Sequence, residues 1–268
     1  MHDQHVDKTL LQPNVPNAAR IWNYWLSGKD NLAADRAIGD QVRTIFPGIV
    51  DLAREHRLFL GRAVRYLVEE AGIRQFLDIG MGLPAEDNTH EVAQRLAPES
   101  RVVYVDNDPL VLVHARALLT SYPEGTTDYI EADLRQPDEI LASAARTLDL
   151  TRPVAFMLLG VLHFVWDDDE VQQIIDRLLK AVPSGSHVAV AHTTTAISGG
   201  LAAKAVRVWN ETARPKLKSR SPKRIAEFFD GLEMVEPGWV SSSRWRPDLD
   251  PFGLPAEVDQ WAGVARKP

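Results

Sequence analysis

The chain has 268 residues, 45% of them hydrophobic, enough to bury a sizeable core in one large domain or in one domain with an extension. A formal charge of −7 excludes a general nucleic-acid binder, whose phosphate contacts need a basic surface. With no cysteine, the chain has no disulfide, no thiolate nucleophile and no Cys-ligated zinc, and no metal site is expected.

Residues 1–16 are polar and proline-containing and are expected to be irregular. They lack the basic and apolar blocks of a signal peptide, and no apolar stretch reaches the roughly 18 residues that span a bilayer. A cytoplasmic protein without membrane attachment is therefore expected. Helical spacing follows over 17–27, 31–45 and 49–71; in the third segment Leu52, Phe59, Leu60, Ala63, Val64 and Leu67 recur on one face, and Gly72 is a stop signal. Residues 1–71 thus read as a helical extension and 72–268 as a second, different unit.

From residue 75 the rhythm changes. "QFLDI", "RVVYVD", "DYIEAD", "RPVAFMLLG" and "SHVAVAHT" read as short strands, separated by the helical stretches "DNTHEVAQRLA", "PLVLVHARALLTS", "PDEILASAARTL" and "DDEVQQIIDRLLKAV". This alternation predicts an α/β fold: a parallel sheet with helices on both faces. Helices at 199–213 and 222–229 come next, then strands around "LEMVEP" and "QWAGVAR", with no helix between them. These two fit an antiparallel hairpin at a sheet edge. The basic run Arg207, Arg214, Lys216, Lys218, Arg220, Lys223 and Arg224 is either a solvated face or a flap that attracts an acidic substrate.

Ligands of open α/β sheets bind beyond the carboxyl ends of the strands, beside the first strand. There "GMGLPA" satisfies G-x-G-x-x-[GA] with Gly80, Gly82 and Ala85, and Asp106 ends the second strand where a carboxylate holds ribose hydroxyls. By pattern alone a nicotinamide or flavin dinucleotide stays open. Charge argues otherwise: Asp78, two residues before the first glycine, repels a pyrophosphate but suits an ammonium or sulfonium. Pro84 lacks an N–H, and Glu86 and Asp87 add negative charge where an anion needs donors. S-adenosylmethionine fits this chemistry; the alternative for Asp78 is a helix or turn cap. Asp133 can accept from an adenine amino group, with Leu134 giving a backbone amide and apolar contact. Gly160 and His163 follow the fourth strand, and His192 ends the fifth.

These residues resemble a class I S-adenosylmethionine-dependent methyltransferase, and more narrowly an actinobacterial methyltransferase family long listed as a domain of unknown function. The resemblance runs from about residue 14 to the end. It rests on "NAARIWNYWLSGKDNLAADR", "GIRQFLDIGMGLPAEDNTHEVAQ", "RVVYVDNDPLVLVHARALL", "RSPKRIAEFFDGLEMVEPG" and "RWRPD". It implies a Rossmann-like sheet of five parallel strands plus a C-terminal antiparallel hairpin, with the N-terminal helices as a lid over a cofactor-binding domain at 72–268. By position it implies that Asp78, Gly80, Met81 and Gly82 form the first cofactor motif, that Asp106 and Asn107 grip the ribose, and that Asp133 and Leu134 hold the adenine. Met81 and Ala85 stand where threonines are usual, and His56 where asparagine is. In the aromatic block "WNYWLSGKDN", Tyr24 is expected to line the pocket and Lys29 or Arg57 to meet the cofactor carboxylate; the alternative is an amphipathic helix with aromatic core contacts.

Methyl transfer from a sulfonium is an in-line displacement, so the protein mainly aligns the acceptor and excludes water. A base is needed where the acceptor loses a proton; His192 and His163 are the candidates, with His192 slightly favoured and a structural role the alternative for each. No Asn/Asp-Pro-Pro-Tyr/Phe motif follows the fourth strand, so methylation of nucleobase nitrogens has no support. Expected partners are a small-molecule or peptide acceptor shaped by loops 193–222 and 239–258, with no nucleic acid and no membrane. The oligomeric state is left open. Two other classes remain: a non-catalytic cofactor sensor and an NAD(P)-dependent oxidoreductase.

Overall fold

The computed structural model describes residues 14–248, 251 and 253–268; most of the expected irregular segment, residues 1–13, lies outside these. Five buried or half-buried strands form where the apolar runs predict them: β1 (Gln75–Ile79), β2 (Arg101–Asp106), β3 (Thr126–Glu131), β4 (Ala155–Leu159) and β5 (His187–Thr193). All five pair in parallel, and the sheet continues through β8 (Gln260–Arg266) to β6 (Glu233–Met234), in the order β3-β2-β1-β4-β5-β8-β6. The expected antiparallel pair forms between β6 and β8. β8 is the inner member, antiparallel to β5 along its whole length, and also carries the short β7 (Val240–Ser241).

The period of two along each strand sorts side chains between two cores. Phe76, Val102, Tyr104, Ala155, Met157 and Ala189 face α3 (Ile49–Glu69) and α4 (Thr89–Leu96), with Trp245 sealing that layer. Leu77, Val103, Phe156, Leu158, Val188 and Val190 face α6 (Pro137–Ala144), α7 (Asp168–Lys180) and α9 (Pro222–Glu227). The capping residues explain where these helices start. Asp108 accepts from the Leu110 amide with Pro109 opening α5 (Pro109–Leu118), and Asp167 accepts from the Asp169 and Glu170 amides ahead of α7.

A third core joins both ends of the chain. α1 (Ala18–Trp25), α2 (Ala33–Ile45) and the first half of α3 pack on α8 (Gly200–Thr212) through Ile21, Trp25, Val42, Leu52, Ala205 and Trp209. Asn17 fastens this layer to the sheet: its amide donates to Asp35 at 2.9 Å and its side chain to Asp108 at 2.9 Å. From Phe59 onward α3 belongs to the sheet's own core. No helix of the described residues is long and apolar enough to cross a membrane.

Candidate active site

β1 and β4 pair only as far as Asp78 and Met157. Beyond that point each turns to its outer neighbour: the Gly80 amide donates to the Val105 carbonyl at 2.8 Å and the Gly160 amide to Ala191 at 2.9 Å. The two chains part, and a crevice opens at the point where the strand order reverses. Both residues have positive φ, +79° and +73°. A Cβ on Gly80 would stand 2.6 Å from Val161 Cγ2, so only glycine fits.

A cavity of about 870 Å³ fills this crevice and extends under α1 and α8. Of the residues singled out by sequence, Lys29, Arg57, Gly80, Met81, Gly82, Asp106, Asn107, Asp133, Leu134, Gly160 and His163 line it. Asp106 accepts from the Gly82 amide on one oxygen and from the Asp108 amide on the other, each at 3.0 Å. Each oxygen keeps a lone pair for a ribose hydroxyl. Asp133 holds its neighbour Arg135, which donates to it from backbone and side chain and reaches on to the Phe164 carbonyl at 2.9 Å. At the opposite end of the glycine turn Arg57 donates to the Glu86 and Asp87 carbonyls at 2.7 and 3.0 Å. Its buried Nε has no partner among the described residues and is a donor open to a carboxylate.

Three expected residues lie elsewhere, each for a reason of facing. Asp78 has the parity of Phe76, so its carboxylate points toward α4 and accepts from Thr89 Oγ1 at 2.6 Å, outside the cavity lining. It holds the side chain of the first residue of α4, while the cap of that helix is Asn88. His192 shares the face of Val188 and Val190. Its Nδ1 bonds the Thr193 carbonyl at 2.8 Å and its Nε2 lies 3.0 Å from Arg220, so the ring is fully buried and holds structure. Tyr24 turns outward and donates to Asp40 at 2.8 Å; Trp22 and Trp25 line the cavity in its place. His56, marked in the sequence only as a departure, also lines it. Its spacing to Leu52, Phe59 and Leu60 puts it on the buried face of α3, and that was the signal available.

The loops divide as well. Segment 193–222 contributes Thr193, Thr194, Trp209 and Leu217 among others, whereas the described part of 239–258 contributes nothing. It is pinned behind α3, where Arg62 donates to the Trp245 and Ser242 carbonyls. None of the seven cations of the basic run lines the cavity. Lys218, Arg220 and Arg224 converge on Asp168 at 2.7, 2.8 and 2.9 Å, so the flap reading has no geometry behind it.

The arrangement suits a sulfonium cofactor and not a pyrophosphate. Two amides at the start of α4 are spent, that of its cap Asn88 on Glu91 at 2.8 Å and that of His90 on the Tyr104 hydroxyl at 2.9 Å. Burial lifts the carboxyls of both Asp78 and Asp106 to about 6. A cationic ligand favours their ionised forms, so protons compete with it. Affinity for S-adenosylmethionine is expected to be flat above pH 7 and to fall roughly tenfold per pH unit below 6 as one carboxylate protonates. Calorimetric titration at pH 5, 6 and 7.5 measures this; equal affinity at pH 5 and 7.5 would remove both carboxylates from the electrostatics of binding.

Comparison with known proteins agrees with this geometry. A family described as S-adenosyl methyltransferase matches residues 4–268. None of the curated proteins compared with the chain matches it. Among solved structures, a DUF574 family protein from Streptomyces avermitilis is 42% identical, with 96% of this chain and 99% of that one covered and a TM-score of 0.88. A protein from Thermobifida fusca is 39% identical over 98% and 99% of the two chains, also with a TM-score of 0.88. The N-methyltransferase NodS of Bradyrhizobium japonicum, in complex with S-adenosyl-L-homocysteine, shares the fold at 18% identity, over 81% and 88% of the chains, with a TM-score of 0.50. This chain belongs to the S-adenosyl methyltransferase family, as a methyltransferase that uses S-adenosyl-L-methionine.

Proposed function

We propose that the protein transfers a methyl group to a small molecule held inside the cavity, not to a peptide or nucleic acid at the surface. The continuity of the cavity carries this reading: one space runs from Asp106 and the glycine turn to Trp22, Trp25 and Trp209. Its volume lies toward the upper end of the roughly 300–1,000 Å³ typical of single-ligand pockets, which leaves room for an acceptor beside the cofactor.

In this reading the cofactor, when bound, supplies an activated methyl group on sulfur. Asp106 and Asn107 orient its ribose, Ala132 to Leu134 its adenine, and Arg57 with Lys29 its carboxylate. Residues 1–71 serve as the lid and positioning layer, and the apolar walls keep water away from the reacting centre. Asp78 acts through the structure, fixing the turn by way of Thr89. We place the reaction in the cytoplasm.

Calorimetry with S-adenosylhomocysteine and with NADPH tests the cofactor assignment. One-to-one binding of S-adenosylhomocysteine at micromolar strength, about −8 kcal/mol, is expected, with no heat from NADPH. Binding of NADPH alone would return the protein to the oxidoreductases.

A further inference from the structure

Away from Asp106 and Asp133 the cavity wall turns aromatic. Ring centroids lie 5.9 Å apart for Trp22 and Trp25 and 6.1 Å for Trp25 and Trp209, and Trp22 stands edge-on to His56 at 5.1 Å. Two imidazoles sit where this wall meets the crevice. A Cβ on Gly160 would lie 3.2 Å from Cε1 of His56 and 3.7 Å from Cε1 of His163, so both rings crowd the glycine at the tip of β4.

Each ring is anchored through Nδ1. In His56 this atom is 3.0 Å from Nε2 and 3.2 Å from Oε1 of the Gln260 side chain; in His163 it is 3.3 Å from Thr193 Oγ1. Nε2 of neither ring has a hydrogen-bond partner among the described residues. Both anchors are two-sided, since an amide or a hydroxyl can either donate to Nδ1 or accept from it. Each imidazole therefore keeps its place whether Nε2 holds a lone pair or a proton. Burial keeps the rings neutral: His56 is pushed down to about 4 and His163 well below the ordinary histidine range. Asp259, a carboxylate on this side, is buried and gives one oxygen to the Ile197 amide and the other to the Ser198 amide.

Resting on the methyl-transfer reading above, we propose that the acceptor is a flat, uncharged molecule carrying a hydroxyl, of the phenol class, and that His56 and His163 take up its proton. The tryptophans hold the ring and the paired imidazoles hold the hydroxyl. As the acceptor oxygen bonds the methyl carbon, the carbon–sulfur bond breaks with its electron pair going to sulfur. The hydroxyl proton passes to an imidazole Nε2 and is lost to water after the product leaves.

The test is binding to protein saturated with S-adenosylhomocysteine, followed by equilibrium dialysis. The probes are 2-naphthol, naphthalene, 2-naphthoate and naphthylmethylammonium. The naphthol is expected to bind at least about tenfold more tightly than naphthalene, a difference of about one hydrogen bond, and more tightly than either ion. His56→Gln and His163→Gln are each expected to reduce that preference, read as the ratio of naphthol to naphthalene affinity within each variant. Naphthol binding no tighter than naphthalene, including no binding of either, overturns the proposal, as does a tighter ammonium. The wild-type comparison decides this even if a variant fails to fold. Failure of S-adenosylhomocysteine to bind at all is a separate result, and overturns the methyl-transfer reading itself.

Discussion

Asp106→Ala is expected to weaken S-adenosylmethionine binding roughly 100- to 1,000-fold, about 3–4 kcal/mol. The side chain has two duties. It would receive the ribose hydroxyls, and hydrogen bonds to a charged group are worth about 1.5–3 kcal/mol each. It also fixes the glycine turn, by accepting from the Gly82 and Asp108 amides. Alanine removes the first and leaves two amides facing the cavity without their acceptor. Asp106→Asn is expected to fall between wild type and alanine, because one amide nitrogen would meet a backbone N–H. Titration calorimetry at pH 7.5, where Asp106 is ionised, gives the affinities, and circular dichroism checks that the fold is kept. A loss below tenfold for the alanine variant would detach Asp106 from the ribose.

Arg220→Ala is expected to be the most destabilising substitution in the basic run, costing about 3–5 kcal/mol. Arg220 is 4% exposed. It bonds Asp168 at 2.8 Å, the Val165 carbonyl at 2.7 Å, the Leu162 carbonyl at 3.2 Å and His192 Nε2 at 3.0 Å, and lies over Phe228. Removing it strands the buried acceptors at Leu162, Val165 and His192 and leaves Asp168 to Lys218 and Arg224. Burial works against the ionised Asp168, yet hydrogen bonds from Lys218, Arg224 and Arg220 hold its carboxyl well below the usual range, so this ion pair outlasts mild acid. Its stabilisation is present above the unfolded carboxyl's value near 4 and fades only as pH falls further. Lys218→Ala and Arg224→Ala, on the exposed side, are expected to cost less than about 1 kcal/mol each. Urea unfolding midpoints of the three variants measure the ranking; equal midpoints would mean the hub carries no weight. Arg220 also fixes the turn at Leu162–Phe164 that presents His163, so its loss would reach the active site.

The five parallel strands and their helices were legible because apolar runs and helical periods are local signals. The position of β8 inside the sheet was not: two strands close in sequence suggest a hairpin, and nothing local says that the second inserts beside β5. Of the strand-tip residues, Asp106, Asp133, Gly160 and His163 line the cavity. At Asp78 and His192 nearness to a tip was read without depth and parity. Asp78 pairs with Tyr104, two residues short of Asp106 on the same face of the sheet, and counting in twos from Val190 turns His192 away from the crevice that Thr193 lines. Tyr24 stands two residues from Trp22, about 200° around α1, and so points away from the cavity that Trp22 lines. The partner of the basic run was invisible, because Asp168 lies some fifty residues upstream of Lys218, Arg220 and Arg224.

The parting of β1 and β4 has a consequence for how such an enzyme can change. In the proposed reading, the half of the cavity that would receive the nucleoside is shaped mainly by main chain, through two glycines and the amides around Asp106. The other half is made of side chains carried by α1, α3, α8 and the turn after β4. Substitutions in those side chains alter the guest without touching the geometry that supplies the methyl group. Specificity can therefore be re-tailored one residue at a time at Trp22, His56, Val206 or Trp209, on a chassis that stays constant.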